Sequence, residues 1–205
     1  TEPCALLRHF LQEIISPLPH HKTHYFNTKS MLHSNRLHLR ALEPSDADFL
    51  YEVENDHEAW RYSDTVAPLS RKVLREYALT YDADPFSAGQ LRLIISEEGN
   101  SNLIGIIDLY DVTSRHQRAF IGIYICKEFR KKGYAEEAIR LIEEYAHNTL
   151  HLNQLGAKVD ESHETVVKLF SNLGYKQSGR LEEWISTPDG KFNNMLLFTK
   201  KLRAE

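Results

Sequence analysis

The sequence predicts a mixed α/β domain around one central sheet, and three observations carry that expectation. Short runs rich in β-branched and aromatic residues recur, among them Leu91–Ser96, Leu103–Tyr110 and Ala119–Cys126. Segments with helical apolar spacing are interleaved with them, the longest spanning Ala135–Leu150. Between the Ala119–Cys126 run and that helix stands Phe-Arg-Lys-Lys-Gly-Tyr-Ala (Phe129–Ala135), a basic glycine turn that passes directly from strand to helix.

In chain order, residues 1–34 form an N-terminal helical extension and linker. Cys4–Ile15 has amphipathic spacing, and Pro17 and Pro19 stop it. His20, His21 and His24 follow without an acidic or thiol partner, so they are expected to be solvated rather than metal-bound. The main domain occupies 35–205. It opens on the strand Arg36–Leu42, where Leu37, Leu39 and Ala41 alternate with Arg36, His38 and Arg40. Pro44-Ser45-Asp46 starts a helix with the stripe Phe49, Leu50 and Val53, and Ser45 or Asp46 is its expected cap. Helical pieces are predicted over His57–Tyr62 and Ser70–Tyr81. The strands Leu91–Ser96 and Leu103–Tyr110 pair through the tight turn Glu98-Gly99-Asn100. After the long helix come a strand (Gln154–Val159) and a helix (Thr165–Leu173) that Gly174 ends. Strand-like segments Tyr175–Arg180 and Leu181–Thr187, a turn at Pro188-Asp189-Gly190 and a last strand Asn194–Leu202 complete the order.

Composition narrows the class. With 205 residues, 41% apolar and 26% charged, the chain suits one soluble globular domain. A net charge of −4 argues against nucleic acid as a partner, because such proteins carry a basic excess. No apolar stretch reaches the roughly 18–20 residues that span a bilayer, and the first residues lack the plan of a secretory signal. Two distant cysteines, Cys4 and Cys126, fit a reducing cytoplasm rather than a disulfide framework.

The Phe129–Ala135 turn is an anion cradle by construction. The first N–H groups of a helix have no internal partner and carry the positive end of its dipole. Gly133 lets the main chain approach a ligand closely, while Arg130, Lys131 and Lys132 raise the local potential. A phosphate-bearing ligand is the natural guest. The turn lacks the Gly-x-x-x-x-Gly-Lys-[Ser/Thr] layout that holds nucleotide phosphates.

The segment order, with Arg130-Lys131-Lys132-Gly133-Tyr134-Ala135 as an Arg-x-x-Gly-x-Ala signature, resembles the GNAT acyl-CoA N-acyltransferases from about Asn35 to Leu202. Within them it is most similar to the branch of ribosomal-protein N-terminal and spermidine N-acetyltransferases. The resemblance implies a single α+β domain whose mixed, largely antiparallel, twisted sheet is flanked by helices. It implies acetyl-CoA as co-substrate; no metal is expected, because His20, His21 and His24 lack partner ligands. The fourth strand would splay from its neighbour at Ile125, Cys126 and Lys127 and pair with pantetheine as an added strand does. Arg130, Lys131, Lys132, Gly133, Tyr134 and Ala135 would wrap the pyrophosphate. The acceptor would be a primary amine, either a small polyamine or a protein N-terminus, and the branch suggests a homodimer.

Acetyl transfer needs a neutral amine, an oriented thioester and a route for the leaving thiolate. Relatives often carry a Glu where this chain has Phe120, and a Tyr where it has Phe170; an Asn and a Ser that usually precede that Tyr are His163 and Val166. Two catalytic candidates remain: Asp108, as base or ammonium anchor, and His163, whose imidazole titrates in the useful range. Tyr124 is a possible hydrogen-bond donor, although a packed core tyrosine is the simpler reading. Cys126 reads as a small buried hydrophobe rather than a nucleophile. The acidic run Glu52, Glu54, Asp56 and Glu58 would attract a cationic acceptor, and a solvated helix face explains it equally well. The loss of Glu and Tyr keeps a non-enzyme alternative open, a degenerate acyl-CoA-binding sensor or interaction module.

Overall fold

A computed structural model describes residues 31–203 except 64, 82–83 and 101. The helix expected at Cys4–Ile15 and the histidines His20, His21 and His24 lie outside the described residues. The chain runs β1 (Leu37–Ala41), a 3-10 turn (Pro44–Asp46), α1 (Ala47–Glu54), α2 (His57–Trp60), α3 (Arg71–Thr80), α4 (Pro85–Ala88), β2 (Gln90–Glu97) and β3 (Leu103–Thr113). It continues with β4 (Arg118–Ile125), a second 3-10 turn (Lys127–Phe129), α5 (Tyr134–Asn148), β5 (Gln154–Asp160), α6 (Glu164–Asn172), β6 (Lys176–Ser186) and β7 (Phe192–Lys201).

The seven strands form one sheet in the order β1-β2-β3-β4-β5-β7-β6. Every neighbouring pair is antiparallel except β4 with β5. Period-2 alternation sorts the side chains onto two faces. On one, Leu39, Ile95, Ile107, Ile121 and Leu155 pack with Ile139 and Ile142 of α5 and Phe170 of α6. On the other, Ile94 and Ile106 pack with Leu50 and Val53 of α1 and Leu74 and Ala78 of α3. The middle strands are therefore covered on both faces, which is why Leu91–Ser96 reads as a nearly unbroken apolar run. Among the described residues no helix is long and apolar enough to cross a membrane.

Local signals act largely as their chemistry dictates. The Ser70 hydroxyl caps α3 by accepting the Val73 N–H at 3.2 Å, and Gly174 leaves α6 with φ +86°. Two expectations need correction, and one element was not foreseen. Neither Ser45 nor Asp46 caps α1 through its side chain; Asp46 forms a capping box with Glu43 one turn earlier and receives Arg40 at 2.7 and 2.8 Å. Pro44 starts the turn before the α-helix proper begins, so the acidic side chain is already committed. The segments Tyr175–Arg180 and Leu181–Thr187 are one strand, β6, whose two register shifts absorb the irregular stretch. The short helix α4, capped by Asp84, was not expected.

One irregularity shapes the rest of the molecule. β4 pairs with β5 only at Arg118–Gln154, Ala119–Leu155 and Phe120–Gly156. Beyond that point β4 stays with β3 as far as Ile125–Gly105, while β5 stays with β7 as far as Asp160–Met195. The sheet opens into a wedge, with β4 backbone from Ile121 to Ile125 on one wall. Gly156 stands at its apex, where a Cβ would lie 2.7 Å from the Phe120 ring.

Candidate functional site

The wall of the wedge leads straight into the basic turn. From Ile125 the chain passes the buried Cys126 and the 3-10 turn, and reaches α5 through Arg130, Lys131, Lys132 and Gly133. Lys131 (φ +60°) and Gly133 (φ +83°) both take left-handed backbone, which folds the turn tightly around the helix start. Gly133 is the N-cap and supplies no side-chain acceptor, so the first N–H groups of α5 are not capped from within. The turn is pinned from the far side. Arg36, ahead of β1, donates to the Lys132 carbonyl at 3.2 Å and to Glu137 in the first turn of α5. The Tyr134 hydroxyl donates to Glu97 at the end of β2, at 3.3 Å. Lys131 and Lys132 remain exposed. Arg130 reaches back so that its Nε donates to the Ile125 carbonyl at 2.9 Å, with its guanidinium 5.7 Å from the Tyr124 ring.

The structure thus places Ile125, Cys126, Lys127 and Arg130–Ala135 along one continuous path from the wedge to the helix terminus. Burial pushes the Cys126 thiol up to about 11, which suits an inert small hydrophobe.

Asp108 and His163 sit in separate networks. Asp108 lies on the α1/α3 face, opposite Gly122 of β4, and accepts two hydrogen bonds from Arg92 at 2.8 and 2.9 Å. Arg92 also donates to Glu54 at 2.6 Å. Burial alone would depress Arg92, but the hydrogen bonds and charges of Asp108 and Glu54 outweigh it and raise its pKa. Two carboxylates against one guanidinium leave the cluster with one net negative charge. Tyr77 stands 5.7 Å from Arg92, and burial pushes its phenol up to about 12. His163 is the N-cap of α6; its Nδ1 accepts the Val166 N–H at 3.3 Å, so in the neutral ring the proton is on Nε2. Its ring meets Tyr62 edge-on at 4.7 Å.

The acidic run is not a free negative surface. Glu54 is held by Arg92, and Glu52 stands 3.5 Å from Arg71. Asp56 accepts the Tyr124 hydroxyl at 3.0 Å and lies 3.6 Å from Lys127, which reaches Glu58 at 3.1 Å. Tyr124 is therefore a hydrogen-bond donor packed on the α1/α3 face of β4, and burial with the Asp56 contact raises its pKa.

Phe120 stacks on Tyr110 at 5.6 Å beneath the Lys158 ammonium, which is 4.6 Å from the Phe120 ring. Phe170 is 3% exposed and packs among Tyr175 and Phe198. Sequence reasoning missed Arg92, Arg36, Gly156 and Lys158. For Arg92 the sequence signal misses by one pair: counting outward from the Glu98-Gly99-Asn100 turn sets Arg92 opposite Ile106, and the register shift between Ile95 and Ser96 brings it to Asp108 instead.

Comparison with known proteins agrees with this architecture. Residues 36–176 match the family described as Acetyltransferase (GNAT) domain. Over 172 residues the chain is 27% identical to spermidine N(1)-acetyltransferase of Escherichia coli (strain K12), covering 82% of this chain and 88% of that protein. It is also 27% identical over 161 residues to the uncharacterized N-acetyltransferase p20 of Bacillus licheniformis, covering 75% and 86%. The crystal structure of spermidine N-acetyltransferase from Vibrio cholerae in complex with CoA and spermine superposes with a TM-score of 0.74 at 24% identity, over 82% of this chain and 97% of that one. At that identity the likeness speaks for the fold.

Proposed function

The chain belongs to the GNAT acetyltransferase family, and from that premise we propose that it transfers the acetyl group of acetyl-CoA to a primary amine by direct attack in a ternary complex. The observation that carries this reading is the wedge. β4 loses its β5 partner after Phe120 and then delivers its free edge, residues 121–125, into an uncapped helix terminus ringed by Arg130, Lys131 and Lys132. An extended chain bearing amides can pair with such an edge, and a pyrophosphate can end at the helix N-terminus. Ile125, Cys126 and Lys127 would accompany pantetheine, and Arg130–Ala135 would hold the diphosphate. The Arg130 bond to the Ile125 carbonyl would yield to a pantetheine amide.

In the reaction the amine nitrogen forms a bond to the acetyl carbon, the carbon–sulfur bond breaks, and the thiolate leaves as CoA after gaining a proton. An amine of pKa near 10 arrives protonated and must first lose a proton. Asp108, within its singly negative cluster, would anchor the ammonium on the α1/α3 face. His163 would offer its Nε2–H from the β5 side. The remaining acidic side chains of the run already face Arg71 and Lys127, so the acceptor's charge would be read by the Asp108 cluster, where Asp108 and Glu54 share one Arg92. Spermidine relatives make polyamines the first acceptor class to try, and peptide N-termini the second.

A second reading, an acyl-CoA-binding module without turnover, draws support from Phe120 on the Gly156 apex and Phe170 in the core, where relatives carry Glu and Tyr. A thiol-release assay with acetyl-CoA across polyamines, simple monoamines and peptides separates the two. Turnover on any amine supports the enzyme; tight CoA binding with no release on the whole panel supports the module.

A further inference from the structure

The segment ahead of β1 folds back onto that strand. The Leu39 N–H donates to the Leu32 carbonyl and the Ser34 N–H to the Leu37 carbonyl, both at 2.8 Å, and His33 bridges His38 in antiparallel register. Directly opposed residues of an antiparallel pair present their side chains on the same face. Here the two imidazoles lie stacked, 5.1 Å between centroids. Glu98, in the β2–β3 turn, is fastened to the same spot because its N–H donates to the Arg36 carbonyl at 2.8 Å.

Its Oε2 lies 3.3 Å from His33 Nδ1 and 3.5 Å from His38 Nδ1, and all three ligand atoms fall within 4.8 Å of one another. Metal–ligand bonds of about 2.0–2.2 Å at tetrahedral angles separate donor atoms by roughly 3.3–3.6 Å. Both nitrogen–oxygen spacings already have that value. His38 Nδ1 is shielded from solvent and makes no hydrogen bond, its nearest acceptor being Glu98 Oε2 at 3.5 Å, and a metal ion between the two would satisfy both groups.

We propose that His33, His38 and Glu98 bind a divalent transition metal of the Zn2+ class, with a fourth position left to water. Two imidazoles and a carboxylate are a donor set that zinc accepts. The stacked rings need a turn of one imidazole about its soft Cβ–Cγ bond to aim both lone pairs at one point. His33 and Glu98 are partly exposed, so an ion can enter. The expectation of no metal rested on the isolated loop histidines; these ligands come together only because the chain folds back and a turn some sixty residues away closes over it. Bound there, the ion fastens the segment preceding Arg36, which itself holds the Lys132 carbonyl of the basic turn.

The test is titration of the metal-stripped full chain with Zn2+ by calorimetry, and with Co2+ by visible absorption. The expected result is saturable uptake, the strong visible bands of tetrahedral Co2+, and binding weakened more than about tenfold in Glu98→Gln and in His38→Asn. A variant with His20, His21 and His24 changed to Ala should bind as the parent does. Glu98 lies in a partly exposed turn, so Glu98→Gln keeps the test valid should His38→Asn fail to fold. Absence of uptake, weak octahedral Co2+ bands, or binding lost in the loop variant and retained in Glu98→Gln would overturn the proposal.

Discussion

Arg92 on β2 clasps Asp108 on β3 with two parallel hydrogen bonds, Nε to Oδ1 at 2.8 Å and Nη2 to Oδ2 at 2.9 Å, and spends its remaining nitrogen on Glu54 at 2.6 Å. The clasp ties α1 to the sheet and fixes a net negative charge opposite Gly122, beside the wedge. The orientation of Asp108 is thus already determined, which suits the anchor role proposed for it better than that of a mobile base.

Asp108→Asn separates these roles. It leaves Arg92 with one carboxylate, and both partners keep only about a fifth of their side chains exposed. The expected loss of stability is about 2 kcal/mol, below the roughly 3–5 kcal/mol of a wholly buried pair, read from urea unfolding. The amine KM should rise about tenfold, the worth of one charge-assisted contact, while CoA affinity holds. An unchanged amine KM would remove Asp108 from the acceptor site.

Three glycines of the sheet should respond in three ways. At Gly105 a Cβ would lie 2.0 Å from the backbone oxygen of Tyr124, so Gly105→Ala must break β3–β4 pairing and should cost more than about 3 kcal/mol. At Gly156 the obstacle is the Phe120 ring at 2.7 Å, which can move. Gly156→Ala should cost about 1–3 kcal/mol and alter the wedge apex. At Gly122 the nearest atoms, on Tyr110 and Asp108, are 3.7 and 3.9 Å away, an ordinary contact. Gly122→Ala should melt near the parent temperature yet raise the amine KM by filling space opposite Asp108. Thermal melts and steady-state kinetics on the three variants give the comparison.

Those residues also show how far the sequence could be read. Strand and helix positions follow from local periodicity, so β2, β3, β4 and α5 were legible within a few residues. The basic turn was legible because its chemistry is contiguous. What escaped is what depends on register or on the absence of a bond. The resemblance implied a splay at Ile125–Lys127, but nothing local says that β4 and β5 part company as early as Phe120. Lys158 reaches Phe120 only across that junction, and Arg36 meets Lys132 only because β1 begins beside α5. The acidic run misled for the same reason: its charge is visible in one dimension, whereas its partners Arg71, Arg92 and Lys127 are gathered in three.

Asp56 supplies a test by pH. Burial pushes its carboxyl up, but the Glu58 N–H, the Tyr124 hydroxyl and Lys127 outweigh that and hold it below the usual carboxylate range. A depressed folded value means the unfolded chain binds the proton more readily. The stabilisation is therefore present above the unfolded pKa of about 3.9 and disappears as pH falls through the folded value. Asp56→Asn should flatten the acid side of the stability curve below about pH 4 and leave the slope above pH 6 unaltered. Denaturation midpoints across that range check it; an acid limb of undiminished steepness would assign the loss to other carboxylates.

The basic turn allows strain to be parted from charge. Lys131 carries φ +60° and Gly133 φ +83°, so one left-handed position is held by a residue that dislikes it and the other by the residue that suits it. Lys131→Gly relieves the first and should leave stability unchanged or improve it by up to about 1 kcal/mol, yet it deletes a charge beside the proposed diphosphate. CoA binding should weaken, most at low salt, since screening already blunts the charge at high ionic strength. Gly133→Ala does the reverse. Its Cβ would make an ordinary 3.5 Å contact with Arg36, so the penalty is the conformational strain of about 1 kcal/mol, with no charge lost. Its CoA affinity should fall by a factor nearly independent of salt, because the change moves N–H groups rather than the field. Calorimetric CoA titrations at two ionic strengths read both variants. Identical salt dependence in the two would mean that Lys131 contributes no field to the ligand, and would leave the helix terminus to hold the phosphates alone.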